Sequence, residues 1–358
     1  MKYLLIGFFT RTYMPYIEKY ERILKKENVP YDIVFWDRDS TQTSIVCEHN
    51  EYTFCHITTT STLKKIVPLF KYIYFVKQLI KTNKYDKLIV FTTIPSIFLI
   101  SLLLNEYDGK YIYDYRDVTY ERWLIFRKLV NTIVDHSYFT AISSKGYLNI
   151  LSFNKKILLC HNISNMEYII PTPDNIRDKA VLTIGFLGYV RYFDVNSNLI
   201  QSFKGYSNFQ LKYYGTNFSN CNLKQYAESI QANNVLFYGK YNNDDKPRLY
   251  QEIDLINSIY STDSPEVKYA IPNRLYDAVL FKKPIIASKG TYLAEIVENY
   301  GLGLVVDPYD RDIPVRVKEY IHQYNYKKFE IACNNFLDIV EKDEEKINQM
   351  LENFIKEI

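Results

Sequence analysis

KYAIPNRLYDAVLFKKPIIAS, residues 268–288, reads as loop, short helix, tight turn and buried strand. Pro272 suits the first helical turn, where its missing N–H is no loss. Asp277 follows Asn273 by four residues and Arg274 by three, so the three share one helix face. Leu275, Ala278 and Val279 are left to bury the other side. Lys282-Lys283-Pro284 stops the helix, and Ile285-Ile286-Ala287 opens a strand. A helix N-terminus offers unpaired N–H groups and partial positive charge, which suits a phosphate. A carboxylate one turn further in suits sugar hydroxyls. The layout fits a diphosphate at the helix tip and a ribose at Asp277. A capped helix with a surface Asn-Arg-Asp cluster is the other reading of the same residues.

Upstream of this stretch the chain repeats strand-then-glycine segments. Thr183 to Arg191 (TIGFLGYVR) runs into a glycine turn at Gly188. QLKYYG ends at Gly215 and VLFYG at Gly239. Pro171-Thr172-Pro173-Asp174-Asn175 breaks the pattern and marks a domain boundary. Downstream, Tyr292 to Glu298 reads as a helix and Leu304 to Val306 as a strand. Asp310 to Ile358 reads as helices.

The N-terminal half has the same α/β rhythm. Tyr3 to Phe9 is a near-continuous apolar run, the mark of a parallel strand buried on both faces. No GxGxxG turn follows it, which argues against a dinucleotide-dependent enzyme such as an epimerase. Arg11 lies in the loop at that strand's carboxyl end, where open α/β sheets bind ligands. KYIYDYRDVTY, residues 110–120, is a strand that ends in Asp114, Arg116 and Asp117, at the same edge of the sheet. The alternative is an Asp-Arg pair that fixes the loop. Asp37-Arg38-Asp39 has the spacing of a DxD metal motif, a pattern that recurs by chance at strand ends. Leu63 to Thr82 has helical apolar spacing, interleaved with Lys64, Lys65, Lys71, Lys77 and Lys81 and with Phe70, Tyr72, Tyr74 and Phe75. It reads as a helix for an anionic membrane surface, or as a domain helix with a solvated lysine face.

Composition bounds the rest. At 358 residues, two domains are the default, and 47% hydrophobic residues suffice for two cores. A net charge of +3 gives no reason to expect nucleic acid. Five cysteines without a CxxC pair, and five scattered histidines, suggest neither a metal site nor a disulfide framework. A reduced, cytoplasmic setting follows. MKYLLIGFFTR reads as a first strand, since it lacks a small-residue cleavage site. The most apolar run, residues 94–104, falls well short of the roughly 20 residues that span a bilayer.

The 268–288 stretch resembles the nucleotide-sugar signature of GT-B glycosyltransferases, in particular the retaining, metal-independent family 4 enzymes of bacterial polysaccharide assembly. The run Pro272-Asn273-Arg274-Leu275-Tyr276-Asp277-Ala278, then Lys283-Pro284 and Ile285 to Ser288, carries the likeness. Residues 183–191 resemble the family's glycine-to-arginine segment, and residues 114–117 its acceptor-side D-x-R-D segment. Two positions depart: Asp277 stands where the family has mostly Glu, and Tyr269 where many members carry a second Glu.

The resemblance implies two Rossmann-like domains facing a central cleft. Residues 1–170 would bind the acceptor and residues 178–340 the donor, with 341–358 a helix crossing back to the first domain. It implies Gly188, Arg191, Gly239, Lys268, Asn273, Arg274 and Asp277 as donor-binding residues. Arg11, Arg116 and Asp117 would serve the acceptor, with Arg116 holding a phosphate or its carboxylate partner. Asp117, Arg191 and Arg274 would carry catalysis. Neither a cofactor nor a metal is expected. The reaction would be glycosyl transfer from a nucleotide sugar to a free or lipid-diphosphate-linked saccharide in capsule, O-antigen or exopolysaccharide assembly, in a cytoplasmic protein that sits peripherally on the membrane. With Tyr269 in place of Glu, a catalytically silent partner or scaffold of a transferase complex is the alternative.

Overall fold

The computed structural model describes residues 1–40, 44–56, 62–163, 175–216 and 222–357, with the backbone alone for residues 62–65. The chain divides into two compact domains. Residues 1–162 with 342–358 form one, and residues 163–341 the other. The proline pair expected at the boundary, Pro171 and Pro173, lies outside the described residues.

The first domain is built on an eight-stranded sheet in the order β3-β4-β2-β1-β5-β6-β7-β8. Its strands are β1 (Tyr3–Ile6), β2 (Tyr31–Asp37), β3 (Ser44–Glu48), β4 (Glu51–Cys55), β5 (Lys87–Phe91), β6 (Tyr111–Tyr115), β7 (Phe139–Ile142) and β8 (Ile157–Leu159). All pairings are parallel except β3 with β4. Strands β1, β5, β6 and β7 are buried along their whole length, as their continuous apolar runs require when helices cover both faces. The core on one side joins Tyr3, Leu5, Ile33 and Phe91 to Ile347, Leu351, Phe354 and Ile355. Those last four belong to a single helix, Tyr326–Lys356, whose final turns complete this domain.

The second domain has six parallel strands in the order β11-β10-β9-β12-β13-β14. They are β9 (Leu182–Tyr189), β10 (Phe209–Thr216), β11 (Val235–Phe237), β12 (Leu255–Ser258), β13 (Ile285–Ser288) and β14 (Gly303–Val306). Renumbered within the domain, this is 3-2-1-4-5-6, the doubly wound order of nucleotide-binding sheets. The order reverses between β9 and β12, so ligands of such sheets sit beyond the carboxyl ends of those two strands.

Among the described residues no helix is long and apolar enough to cross a membrane. The apolar run at 94–104 folds as two short helices, Thr93–Phe98 and Ile100–Asn105.

Candidate functional site

Gly188 is the last residue but one of β9, at the point where the strand order of the second domain reverses. It pairs in register with Gly215 of β10, and the Gly215 N–H donates to the carbonyl of Gly239, just past β11, at 3.0 Å. Three glycines, two in adjacent strands and one just past a third, therefore lie along one carboxyl edge. Gly215, at φ +135°, has no room for a side chain: a Cβ there would lie 1.9 Å from the Gly188 carbonyl oxygen. Gly188 itself sits at φ +137°.

The Asn273–Leu280 helix points its N-terminus at this edge. Pro272 caps it without a side-chain hydrogen bond, and its carbonyl accepts from the Leu275 N–H at 3.0 Å, which leaves the Asn273 and Arg274 N–H groups at the tip. Arg274 ties the helix to the sheet: its Nη1 donates to the Leu187 carbonyl at 3.2 Å. A Cβ added to Gly188 would come 3.9 Å from the same nitrogen. The guanidinium lies between two rings, 4.0 Å from the centre of Phe186 and 4.9 Å from that of Tyr260. Ser288 fixes Tyr260 by accepting from its N–H and donating to its carbonyl, both at 2.8 Å. Arg274 is only 5% exposed, and its Nε has no hydrogen-bond partner. Burial pulls its pKa down from 12.5 to about 10. This is a cation held out of water beside an open helix end, and aromatic faces answer only part of its charge.

Asp277 does not face this cation as a partner. Its carboxylate accepts from Lys246 Nζ at 3.1 Å to each oxygen and from the buried Tyr250 hydroxyl at 2.8 Å. The helix is buried along its length, with only Asn273 exposed. The expected split into a polar and an apolar face is thus corrected: Arg274 and Asp277 are as enclosed as Leu275 and Val279. A ribose at Asp277 would meet Lys246 in the same place. Neither Lys246 nor Tyr250 stands out in the sequence, for no motif links them to a residue some thirty positions later.

The remaining donor-side candidates are more open. Arg191 is half exposed, 3.4 Å from Glu266 and 5.6 Å from the Tyr189 ring centre. Lys268 is exposed, with its Nζ 5.6 Å from the ring centre of Tyr269. Tyr192, between Arg191 and the Phe193–Phe203 helix, adopts a left-handed conformation that turns the chain into that helix.

In the first domain the structure redirects two candidates. Arg116 is 4% exposed, and all five of its N–H groups are taken. Nε and Nη2 donate to Asp114, Nη1 to the Cys160 carbonyl at 3.2 Å and to Asn162 Oδ1 at 2.6 Å, and Nη2 also meets Cys160 Sγ at 3.2 Å. Tyr20 closes the far side of Asp114 at 2.6 Å. No donor remains for a phosphate, so of the two roles expected for Arg116 only the pairing with a carboxylate stands. Its own carbonyl accepts from Ser143 at 3.1 Å and Tyr147 at 2.6 Å, which fixes the backbone leading into exposed Asp117. Arg11 is likewise engaged, by Glu21 and, at 2.8 Å, by Glu51. These two carboxylates raise its pKa, so it is not the open charge expected of an acceptor contact. Among the described residues no group of His, Cys, Asp or Glu is arranged to hold a metal ion.

Residues 172–329 match the family model for glycosyl transferases group 1. No curated protein sequence matches the chain. Among solved structures it is similar to a sucrose-phosphate synthase from Thermosynechococcus elongatus, at 14% identity and TM-score 0.73 over 99% of each chain. It is also similar to Anabaena HepE in complex with UDP and glucose, at 12% identity and TM-score 0.67 over 100% of each chain. A third is the lipopolysaccharide outer core galactosyltransferase WaaB, at 15% identity and TM-score 0.65 over 99% of each chain. The likeness is one of fold, two Rossmann-like sheets in the GT-B arrangement of strands.

Proposed function

From a chain with the GT-B fold and a glycosyl transferases group 1 domain over residues 172–329, we propose a glycosyltransferase that moves a sugar from a nucleotide diphosphate to a saccharide hydroxyl with retention of configuration. The carrying observation is Arg274, a buried guanidinium with an unpaired Nε at an open helix N-terminus beside Gly188. A diphosphate supplies the acceptor that Nε lacks and adds to the negative charge that Asp277 already sets nearby. The glycine edge lets it approach the backbone, and HepE, of similar fold, holds UDP and glucose.

Negative charge grows on the leaving diphosphate as the glycosidic bond breaks, so positive groups fixed there lower the barrier. Arg274 is fixed. Arg191 is the mobile second charge: its pair with Glu266 is exposed and worth about 0–1 kcal/mol, so turning to a phosphate costs little. In a same-face reaction the departing diphosphate takes the acceptor proton, and positive charge matters more than a strong base. Lys268 and Asn273 border the same helix end, Gly239 lies toward the base, and Asp277 with Lys246 meets the ribose. On the first domain, exposed Asp117 orients the acceptor hydroxyl over a backbone that Arg116 anchors.

The acceptor we propose is a lipid-diphosphate-linked saccharide of a surface polymer, reached from the cytoplasmic face of the membrane. The Thr62–Asn83 helix supports this, since it exposes Ile66, Val67, Phe70 and Tyr74 together with Lys71, Lys77 and Lys81. The side chains of Lys64 and Lys65 lie outside the described residues.

Thermal shift against nucleoside diphosphates and sugar nucleotides tests the donor site. A ligand at a hundred times its dissociation constant stabilises by about 2.7 kcal/mol. A shift with one base, lost in Arg274→Met, is the expected result; no shift with any of them removes the proposal. A second reading, a binding module without transfer, is favoured by Tyr269 in place of Glu and by the engaged carboxylate of Asp277. Slow hydrolysis of the bound sugar nucleotide, seen as released diphosphate, decides against it.

A further inference from the structure

The loop from β6 into the Leu124–His136 helix exposes its apolar residues rather than burying them. Tyr120 is 47% exposed, Trp123 59%, Leu124 64% and Ile125 78%. The chain is held in this form from below. Glu121, 2% exposed, turns back toward the sheet and accepts from the Thr119 N–H at 2.5 Å and from Thr93 Oγ1 at 3.4 Å. The Trp123 N–H donates to the Tyr120 carbonyl at 2.9 Å, and the Tyr120 and Trp123 rings stack 5.7 Å apart. A buried carboxylate thus pins the base of the loop, while the residues around it are held out in water.

The charges around this tip have one sign. Arg122 and Lys128 are exposed and Arg127 half-buried, and Glu121, the one acid between Asp117 and Asp135, is buried. The Thr93–Phe98 helix packs against the Leu124–His136 helix. On it, Phe98 meets Phe70 at 5.4 Å, so the exposed apolar face of the Thr62–Asn83 helix borders the same short element. A ligand pocket would bury these side chains, and an acidic protein partner would not need three large apolar residues at the summit. Aromatic and aliphatic residues at a summit ringed by cations match the boundary of an anionic bilayer, where Trp and Tyr settle at headgroup depth and Leu and Ile reach the acyl chains.

We propose that Trp123, Leu124 and Ile125 insert into anionic lipid, with Arg122, Arg127 and Lys128 against the headgroups. This is a site apart from the donor residues, and it stands whether or not the chain transfers sugar.

The chain carries its own reporter. Of its two tryptophans, Trp36 is 3% exposed and Trp123 is not. The full chain is mixed with phosphatidylglycerol or phosphatidylcholine vesicles that contain neither donor nor acceptor, and both flotation and tryptophan emission are read. With phosphatidylglycerol we expect a blue shift of Trp123 and flotation that weakens with salt. Leu124→Glu/Ile125→Glu should lose both while keeping its circular dichroism, since neither side chain supports the core. Arg122→Gln and Lys128→Gln should each weaken binding by roughly fivefold. No shift with saturating phosphatidylglycerol at low salt overturns the proposal, as does flotation that survives in the double variant. Light scattering that shows a dimer broken by the same double variant, with no flotation of either form, would assign the tip to a second copy of the chain and also overturn it. Loss of donor binding with vesicle binding intact would sink the transferase reading and leave this one standing.

Discussion

Replacing Arg274 with Met should make the second domain more stable and unable to bind a diphosphate. A pKa lowered from 12.5 to about 10 means that burying the charge costs on the order of 3 kcal/mol at neutral pH. Met fills similar volume and keeps favourable contacts with the rings of Phe186 and Tyr260. It forfeits the hydrogen bond to the Leu187 carbonyl, worth about 1–2 kcal/mol. The balance is a gain of about 1–2 kcal/mol. For a domain of this size that raises Tm by about 2–8 °C. Differential scanning fluorimetry without ligand reads the gain, and the same scan with saturating nucleoside diphosphate reads the loss. Wild type should then overtake the variant, because only wild type gains the roughly 2.7 kcal/mol of binding. A variant less stable than wild type without ligand would mean that Arg274 is a structural strut. An unchanged diphosphate shift in the variant would mean that the phosphates bind elsewhere.

Four further outcomes follow from the same contacts. Asp277→Ala strands Lys246 and Tyr250 and should cost about 3–5 kcal/mol in urea unfolding, whereas Asp277→Asn, which can still accept from Tyr250, should cost less than half as much. Arg191→Ala should lower kcat of transfer by about tenfold or more with little change in stability, since its pair with Glu266 is exposed; an unchanged kcat removes it from the mechanism. Gly215→Ala would put a methyl group 1.9 Å from the Gly188 oxygen and should cost more than about 4 kcal/mol, seen as loss of soluble protein. His161, buried, has its pKa lowered by burial despite Glu344 and Asp343 nearby. The folded chain then refuses a proton that the unfolded chain accepts, so stability falls as pH drops below about 6.5; His161→Gln should flatten that slope by up to about 1.4 kcal/mol per pH unit.

The glycine-lined edge and the helix beside it are legible in the sequence because their parts are local. Pro272 to Asp277 is one helical turn and a half, and a strand ending in glycine needs no distant partner to be recognised. What could not be read is how each charge is answered. Arg116 shows as a charge at a strand end, but Cys160 and Asn162, which use up its donors, lie more than forty residues downstream on the exit from β8. Asp277 shows as a carboxylate in a signature, but Lys246 occupies it from the start of an earlier helix, Lys246–Gln251. The β3–β4 hairpin was not anticipated: β3 is exposed at all five positions at the sheet's edge, so it lacks the alternation that marks a half-buried strand. The Trp123 tip is not legible for a related reason: nothing in Trp123-Leu124-Ile125 marks them as side chains held in water.

The final turns of the Tyr326–Lys356 helix supply Ile347, Leu351, Phe354 and Ile355 to a core whose other members lie before residue 163. A ribosome therefore finishes the second domain before the first. When residues 163–341 have emerged they hold all six strands of their sheet, while the earlier strands still lack one wall of apolar side chains. The opening β-strands must wait through the synthesis of a whole domain with that surface uncovered, which makes the nascent first half a natural client for chaperones. It also means that a fragment ending near Asn162 should aggregate, whereas residues 163–341 should be recoverable alone.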